Sequence, residues 1–233
     1  MRTPTFSLLV TLAGLLFSAH AQAFEIDATV TADNHYGLYV GNADGSALTL
    51  IGRNEYGSAG STGGYNWQVP ENYNFALGTD QYVYVVAWDD GGPQSWIGEF
   101  GLDNGNWIYS NRTDWVAIAG SGPNPGTNGE LPSLAVLAQD ILGATWQAPG
   151  AGVANGASPW GSIAGISGAA EFIWQDTLAA SAPSDSTYTI YRTVSSANPG
   201  TSAPVPVPAP LALLLVGALP LLRRRVRTSR AVA

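Results

Sequence analysis

The 233-residue chain contains no cysteine and no lysine, and beyond residue 23 it has a single histidine, His35. Each absence removes a class of chemistry. Without cysteine there is no disulfide framework and no thiol nucleophile, so stability rests on core burial or bound ions. One histidine argues against a zinc or copper centre. A Ser-His-Asp triad would depend on His35 alone, and no Gly-x-Ser-x-Gly elbow occurs. Neither a P-loop nor a dinucleotide fingerprint is present. Basic residues are nearly as scarce. Over residues 24–203, three arginines (Arg53, Arg112 and Arg192) stand against all seventeen carboxylates, a formal charge of −14. A surface so acidic repels phosphate backbones and anionic head groups, which makes nucleic acid and acidic membranes poor partners.

The two ends differ in kind from the middle. Arg2, an apolar run from Phe6 to Phe17, and Ala21-Gln22-Ala23 give the three parts of a secretory signal peptide, with cleavage expected after Ala23. The run is too short to span a bilayer comfortably. At the other end Pro204, Pro206, Pro208 and Pro210 alternate with small apolar residues, which forbids a regular helix. Leu211 to Leu222 is apolar but interrupted by Gly217 and Pro220, and Arg223, Arg224 and Arg225 follow it. A weak apolar segment with arginines on its far side is expected to insert transiently in the inner membrane, arginines facing the cytoplasm.

This order of short proline motif, apolar helix and arginine cluster resembles the PEP-CTERM class of sorting signals. Val205, Pro206, Val207, Pro208 and Ala209 are most similar to its VPLPA variant, with Val207 where leucine is usual. The resemblance implies an exosortase-type membrane protease as partner, removal of the tail, release or attachment at the cell surface, and an exopolysaccharide context. The plain alternative is a tail anchor. The division is then a signal peptide (1–23), one domain (24–203) and a sorting signal (204–233).

Within the domain, eight tryptophans and ten tyrosines supply ample core. Short runs with turn residues between them predict strands. Phe24 to Thr31 alternates as an edge or half-buried strand, and Tyr36–Val40 and Ala47–Ile51 form a hairpin around Gly41–Ser46. Trp67–Ala76 is a strand region, and Tyr82–Trp88 is near-continuously apolar, as a strand buried on both faces would be. Trp96–Phe100, Trp107–Tyr109, Glu171–Trp174 and Tyr188–Val194 are further strands. Gly57 to Gly64 is a loop. From Gly120 to Gly168 the composition shifts to Gly, Ala, Pro and Ser, read as a long loop region with a short helix over Ser133–Leu142. No fixed-period repeat is present. The fold class expected is all-β, a single β-sandwich. The stretches Thr31–Gly41, Trp67, Val86–Pro93, Phe172–Trp174 and Tyr191–Thr193 resemble segments of galactose-binding-like jelly-roll domains, which implies that architecture.

Candidate sites are few. Trp67, Trp107 and Trp160 lie near Gly/Asn-rich loops, where indole faces stack on sugar rings and neighbouring Asp or Asn groups, Asp89 and Asp90 among them, accept hydroxyl bonds; core packing is the plainer role. Asp89 and Asp90 close a strand before the Gly91-Gly92 turn, and with Asp33, Asn34 or Asp44 they form a possible oxygen-rich calcium site at the sandwich rim. Asn111-Arg112-Thr113 matches a glycosylation sequon by chance. The expectation is a non-enzymatic surface or matrix protein, secreted through the inner membrane and engaging extracellular polysaccharide. A carbohydrate-active enzyme with paired carboxylates and a purely structural matrix component are the alternatives.

Overall fold

The computed structural model describes residues 24–54, 66–127, 129–179 and 183–199. The signal-peptide segment, the sorting tail and the 57–64 loop lie outside the described residues. In chain order the elements are β1 (Phe24–Asp33), β2 (His35–Gly41), β3 (Thr49–Arg53), β4 (Glu71–Leu77), β5 (Tyr82–Trp88), β6 (Ser95–Leu102), β7 (Trp107–Tyr109), β8 (Trp115–Pro123), α1 (Leu134–Leu142), β9 (Val153–Ala154), β10 (Glu171–Phe172) and β11 (Thr187–Thr193).

Two antiparallel sheets carry the fold, ordered β4-β1-β6-β7 and β3-β2-β5-β11-β8, packed in a sandwich-like arrangement. The chain passes from one sheet to the other across a single residue, Asn34. Period-two patterning sets the layers. In β1, Ile26, Ala28, Val30 and Ala32 are buried while Glu25, Asp27 and Thr29 face away from the core. β1 is half-buried as its alternation predicts, but it sits inside its sheet, between β4 and β6, and not at an edge. β5 is buried on both faces: Val83, Val85 and Ala87 join the inter-sheet core, whereas Tyr84, Val86 and Trp88 belong to the outer-face cluster that also holds Leu137 and Ile141 of α1.

The inter-sheet core is built on aromatics. Trp115 meets Trp96 edge-on at 4.8 Å and Phe100 at 5.4 Å, and Tyr191 lies 5.4 Å from Trp96. Helix α1 starts on the Ser133 N-cap and buries Leu137 and Ile141 on the outer face of the five-stranded sheet. A third cluster of Ile97, Trp160, Ile163, Ile166, Ala170 and Phe172 covers one end of the other sheet's outer face.

Two segments differ from expectation. β8 went unpredicted because Ala117, Ala119, Gly120 and Gly122 carry almost no strand signal. Glycine is required at position 120 because the Tyr188 ring of the neighbouring strand occupies the space of a Cβ. The Gly/Ala-rich stretch thus begins inside a strand. Beyond Phe172 the predicted 171–174 strand reduces to a single bridge from Ile173 to Trp96.

Arg192 ties three pieces together. Its guanidinium lies 4.4 Å from the Trp146 ring and 4.8 Å from the Tyr82 ring, and Nη1 donates to the Ala43 carbonyl at 2.9 Å. Arg192→Ala is expected to lower the unfolding free energy by about 2 kcal/mol, and Arg192→Lys to recover under half of that, because an ammonium lacks the planar stacking face. Urea midpoints of the two variants check this.

Candidate binding face and the carboxylate rim

The end of the four-stranded sheet's outer face away from the third cluster carries two complete cross-strand rows, the nearer of which borders that cluster at Glu99 and Tyr109. The register aligns Asn72, Thr29, Glu99 and Tyr109 in one row and Asn74, Asp27, Gly101 and Trp107 in the next. Three strand spacings make each row about 14 Å wide. Trp107 is 51 % exposed, an unusual state for the largest side chain. It is held flat by two neighbours. A Cβ at Gly101 would come within 3.1 Å of the indole, so the glycine lets the ring lie down on the sheet. Tyr109 stacks beside it, 6.2 Å between centroids and 8° from parallel.

The polar groups of the face are fixed as well. Asn74 donates its amide to Asp27 at 2.7 Å, Thr29 donates its hydroxyl to Asn72 at 2.8 Å, and the Ser167 amide donates to Glu99 at 2.7 Å. A rigid aromatic plane flanked by oriented acceptors and amides is the arrangement that binds a polyhydroxylated ring: apolar C–H edges meet the indole while hydroxyls exchange hydrogen bonds at its margin.

Of the three tryptophans singled out in the sequence, only Trp107 is a free platform. Trp67 is half-buried at the border of the face, where its carbonyl accepts from Thr31 Oγ1 at 3.1 Å. Trp160 is 5 % exposed, packed on Phe172 at 4.8 Å, with Nε1 donating to Asp33 at 2.8 Å. Its stacking surface is spent inside the protein. The signal that separates the three is Gly101, whose cross-strand position opposite Trp107 emerges only once the β6–β7 register is known. Asp27, Thr29, Asn72, Asn74, Glu99 and Tyr109 were missed for the same reason.

Asp33, Asn34, Asp89 and Asp90 do converge, at the rim where β1 ends and β5 runs out. Asn34 Oδ1 accepts the Asp90 amide at 2.7 Å, and its Nδ2 donates to Asp33 at 2.9 Å. Asp89 Oδ2 accepts the Gly91 amide at 2.6 Å, in a turn whose positive φ at Gly91 and Gly92 suits glycine. His35 Nε2 lies 2.6 Å from Asp90 Oδ2, and its ring stacks on Trp88. Burial, with the neighbouring Asp33, Asp185 and Asp90 charges adding to it, pushes the Asp89 carboxyl up to about 6. Burial raises Asp33 too, against the bond from Trp160, and it lowers His35 despite the Asp90 partner. The imidazole is fully enclosed, which gives a substrate no access to it. Asp44 stands apart from this group. It lies in the β2–β3 turn at the far end of β2, bonded to Ser46, so it cannot share a cation with Asp33 or Asp89. Among the described residues, no group of three or more His, Cys, Asp or Glu side chains is placed to hold a metal ion.

Two further places were candidates. A shallow groove of about 340 Å³ beside α1 is lined by Pro123, Pro125, Glu130, Pro132, Ser133 and Tyr188; Ser133 is spent on capping α1 and the Tyr188 hydroxyl on Asp140. The sequon loop is spent on its own turn, with Asn111 Oδ1 accepting the Thr113 and Asp114 amides. No helix among the described residues is long and apolar enough to cross a membrane. No protein-family profile, no curated protein and no solved structure matches this chain.

Proposed function

We propose that this is a non-enzymatic exported protein of the cell surface or extracellular matrix. In this reading its sandwich, a jelly roll of the galactose-binding-like kind, holds polysaccharide on the open face of the four-stranded sheet. The observation that carries the reading is Trp107, half exposed and laid flat over Gly101 at the end of a row that holds Asp27 and Asn74. Export and sorting rest on the sequence: the segment ending at Ala21-Gln22-Ala23, and the Val205–Ala209 motif followed by Arg223–Arg225, which would engage an exosortase-type protease during transient insertion in the inner membrane. An enzyme acting through paired carboxylates has less support, because the carboxyl groups raised by burial, Asp33 and Asp89, belong to the rim and not to the face that carries the aromatic plane.

Trp107→Ala is expected to weaken retention on the host's extracellular polysaccharide at least about tenfold, since a single well-oriented aromatic contact is worth more than 1 kcal/mol. Thermal stability should change little, because the ring is largely outside the core. Affinity electrophoresis of parent and variant reads the effect. Equal retardation of both would sink the platform, and no retardation of the parent by any polysaccharide would favour the purely structural role.

A further inference from the structure

The face that carries Trp107 has a charge as well as a shape. Asp27 shares a row with Trp107, Glu99 shares one with Tyr109, and beyond them Glu25 of β1 and Asp103 of the β6–β7 turn are joined by the Glu25 amide donating to Asp103 at 3.1 Å. None of the four is paired with a cation among the described residues. The three arginines of the domain are engaged elsewhere: Arg53 over Trp88, Arg112 on the Pro149 carbonyl, and Arg192 between Tyr82 and Trp146. The field over the platform is therefore negative without local compensation, and the exposed ring of Trp107 adds to it through its quadrupole.

We propose, on the basis of the polysaccharide reading above, that the platform selects chains bearing protonated amino groups, as partly de-N-acetylated amino-sugar polymers do, over neutral and uronic-acid chains. A ring stacked on Trp107 leaves the next units of its chain over Gly101 and Asp27, about 10 Å away across two strand spacings. There an ammonium group meets a carboxylate already oriented by Asn74, and in the adjacent row Glu99. Acetylation removes the charge, and a uronate reverses it and is repelled. The face supplies no donor of positive charge that a uronate or phosphate substituent would seek.

The experiment compares one β-linked glucosamine polymer in its N-acetylated and partly deacetylated forms with a uronic-acid polymer of similar length. Binding to the full-length protein is measured at about pH 6, where the amine is charged, at about 0.05 M and about 1 M salt. The deacetylated chain should bind about tenfold more tightly than the acetylated one at low salt, and the uronate chain should not compete. Asp27→Asn combined with Glu99→Gln, both near-isosteric, should erase that difference, so that the two forms bind the variant equally, whereas Trp107→Ala should weaken both forms. Equal affinity for the two forms in the parent, or competition by the uronate, overturns the charge selection and leaves the polysaccharide platform standing. Binding of the deacetylated chain that is indifferent to Trp107→Ala overturns both. A lysine-rich peptide bound as tightly, with the same dependence on Trp107, would overturn the assignment to a glycan.

Discussion

Trp115→Ala should lower the unfolding free energy by about 4 kcal/mol, a large share of the total stability of an ordinary domain. The indole is fully buried at the start of β8, where it meets Trp96 edge-on and packs against Phe100 from the opposite sheet. Alanine leaves a void between rigid aromatic neighbours that sit on strands and cannot collapse into it. A second loss is polar. Trp115 Nε1 donates to the Tyr109 carbonyl at 2.9 Å, so the truncation orphans an acceptor in β7, the strand that carries Trp107. Trp115→Phe keeps most of the packing and should cost roughly 1–2 kcal/mol. Urea unfolding followed by tyrosine and tryptophan fluorescence measures both. Equal midpoints for parent and Trp115→Ala would show that the two sheets are not held together through this cluster.

The carboxylate rim yields the opposite sign. Asp89 titrates at about 6 in the folded chain against an ordinary 3.8, so between those values the native state holds a proton that the unfolded state has released, and stability falls as pH rises through that window. Asp33 is raised and acts in the same direction, whereas His35 is lowered and opposes it, because protonating His35 at pH below its ordinary 6.5 favours the unfolded chain. Asp89→Asn preserves an acceptor for the Gly91 amide and removes the buried charge. It should stabilise the protein by about 1–2 kcal/mol at neutral pH, allowing for screening at the rim, and by almost nothing near pH 4. Thermal melts of the pair across that range test it. A parallel shift at every pH would mean that the group titrates no differently once folded.

The sequence announced some of this and concealed the rest for definable reasons. β5 was legible because seven consecutive apolar or aromatic residues between turn signals have one structural use. The Asp89-Asp90-Gly91-Gly92 stop was equally plain. β8 was not, since its glycines and alanines make room for Tyr188 of a strand some seventy residues later, and no local pattern encodes a distant ring. The tryptophans were ambiguous in the same way. Trp107 and Trp160 sit in similar Gly/Asn-rich contexts, but one lies opposite a glycine on a sheet face and the other is closed over by Phe172. The acidic residues of the face, Asp27 and Glu99, looked like the solvated side of two amphipathic strands, and only the register puts them in rows with aromatics.

The position of β11 bears on when this chain can fold at all. It lies between β5 and β8, and β8 has no other strand neighbour within its sheet. Translation delivers β8 some seventy residues before the strand that must receive it, so an emerging chain holds a half-built sheet with an open edge at β5 and an unpaired β8. Completion waits for residues 187–193, among the last of the domain to arrive. Such late, long-range closure makes folding slow and leaves the intermediate open to edge-to-edge association. A chain truncated before Thr187 should therefore be lost to aggregation or proteolysis rather than accumulate as a smaller folded form.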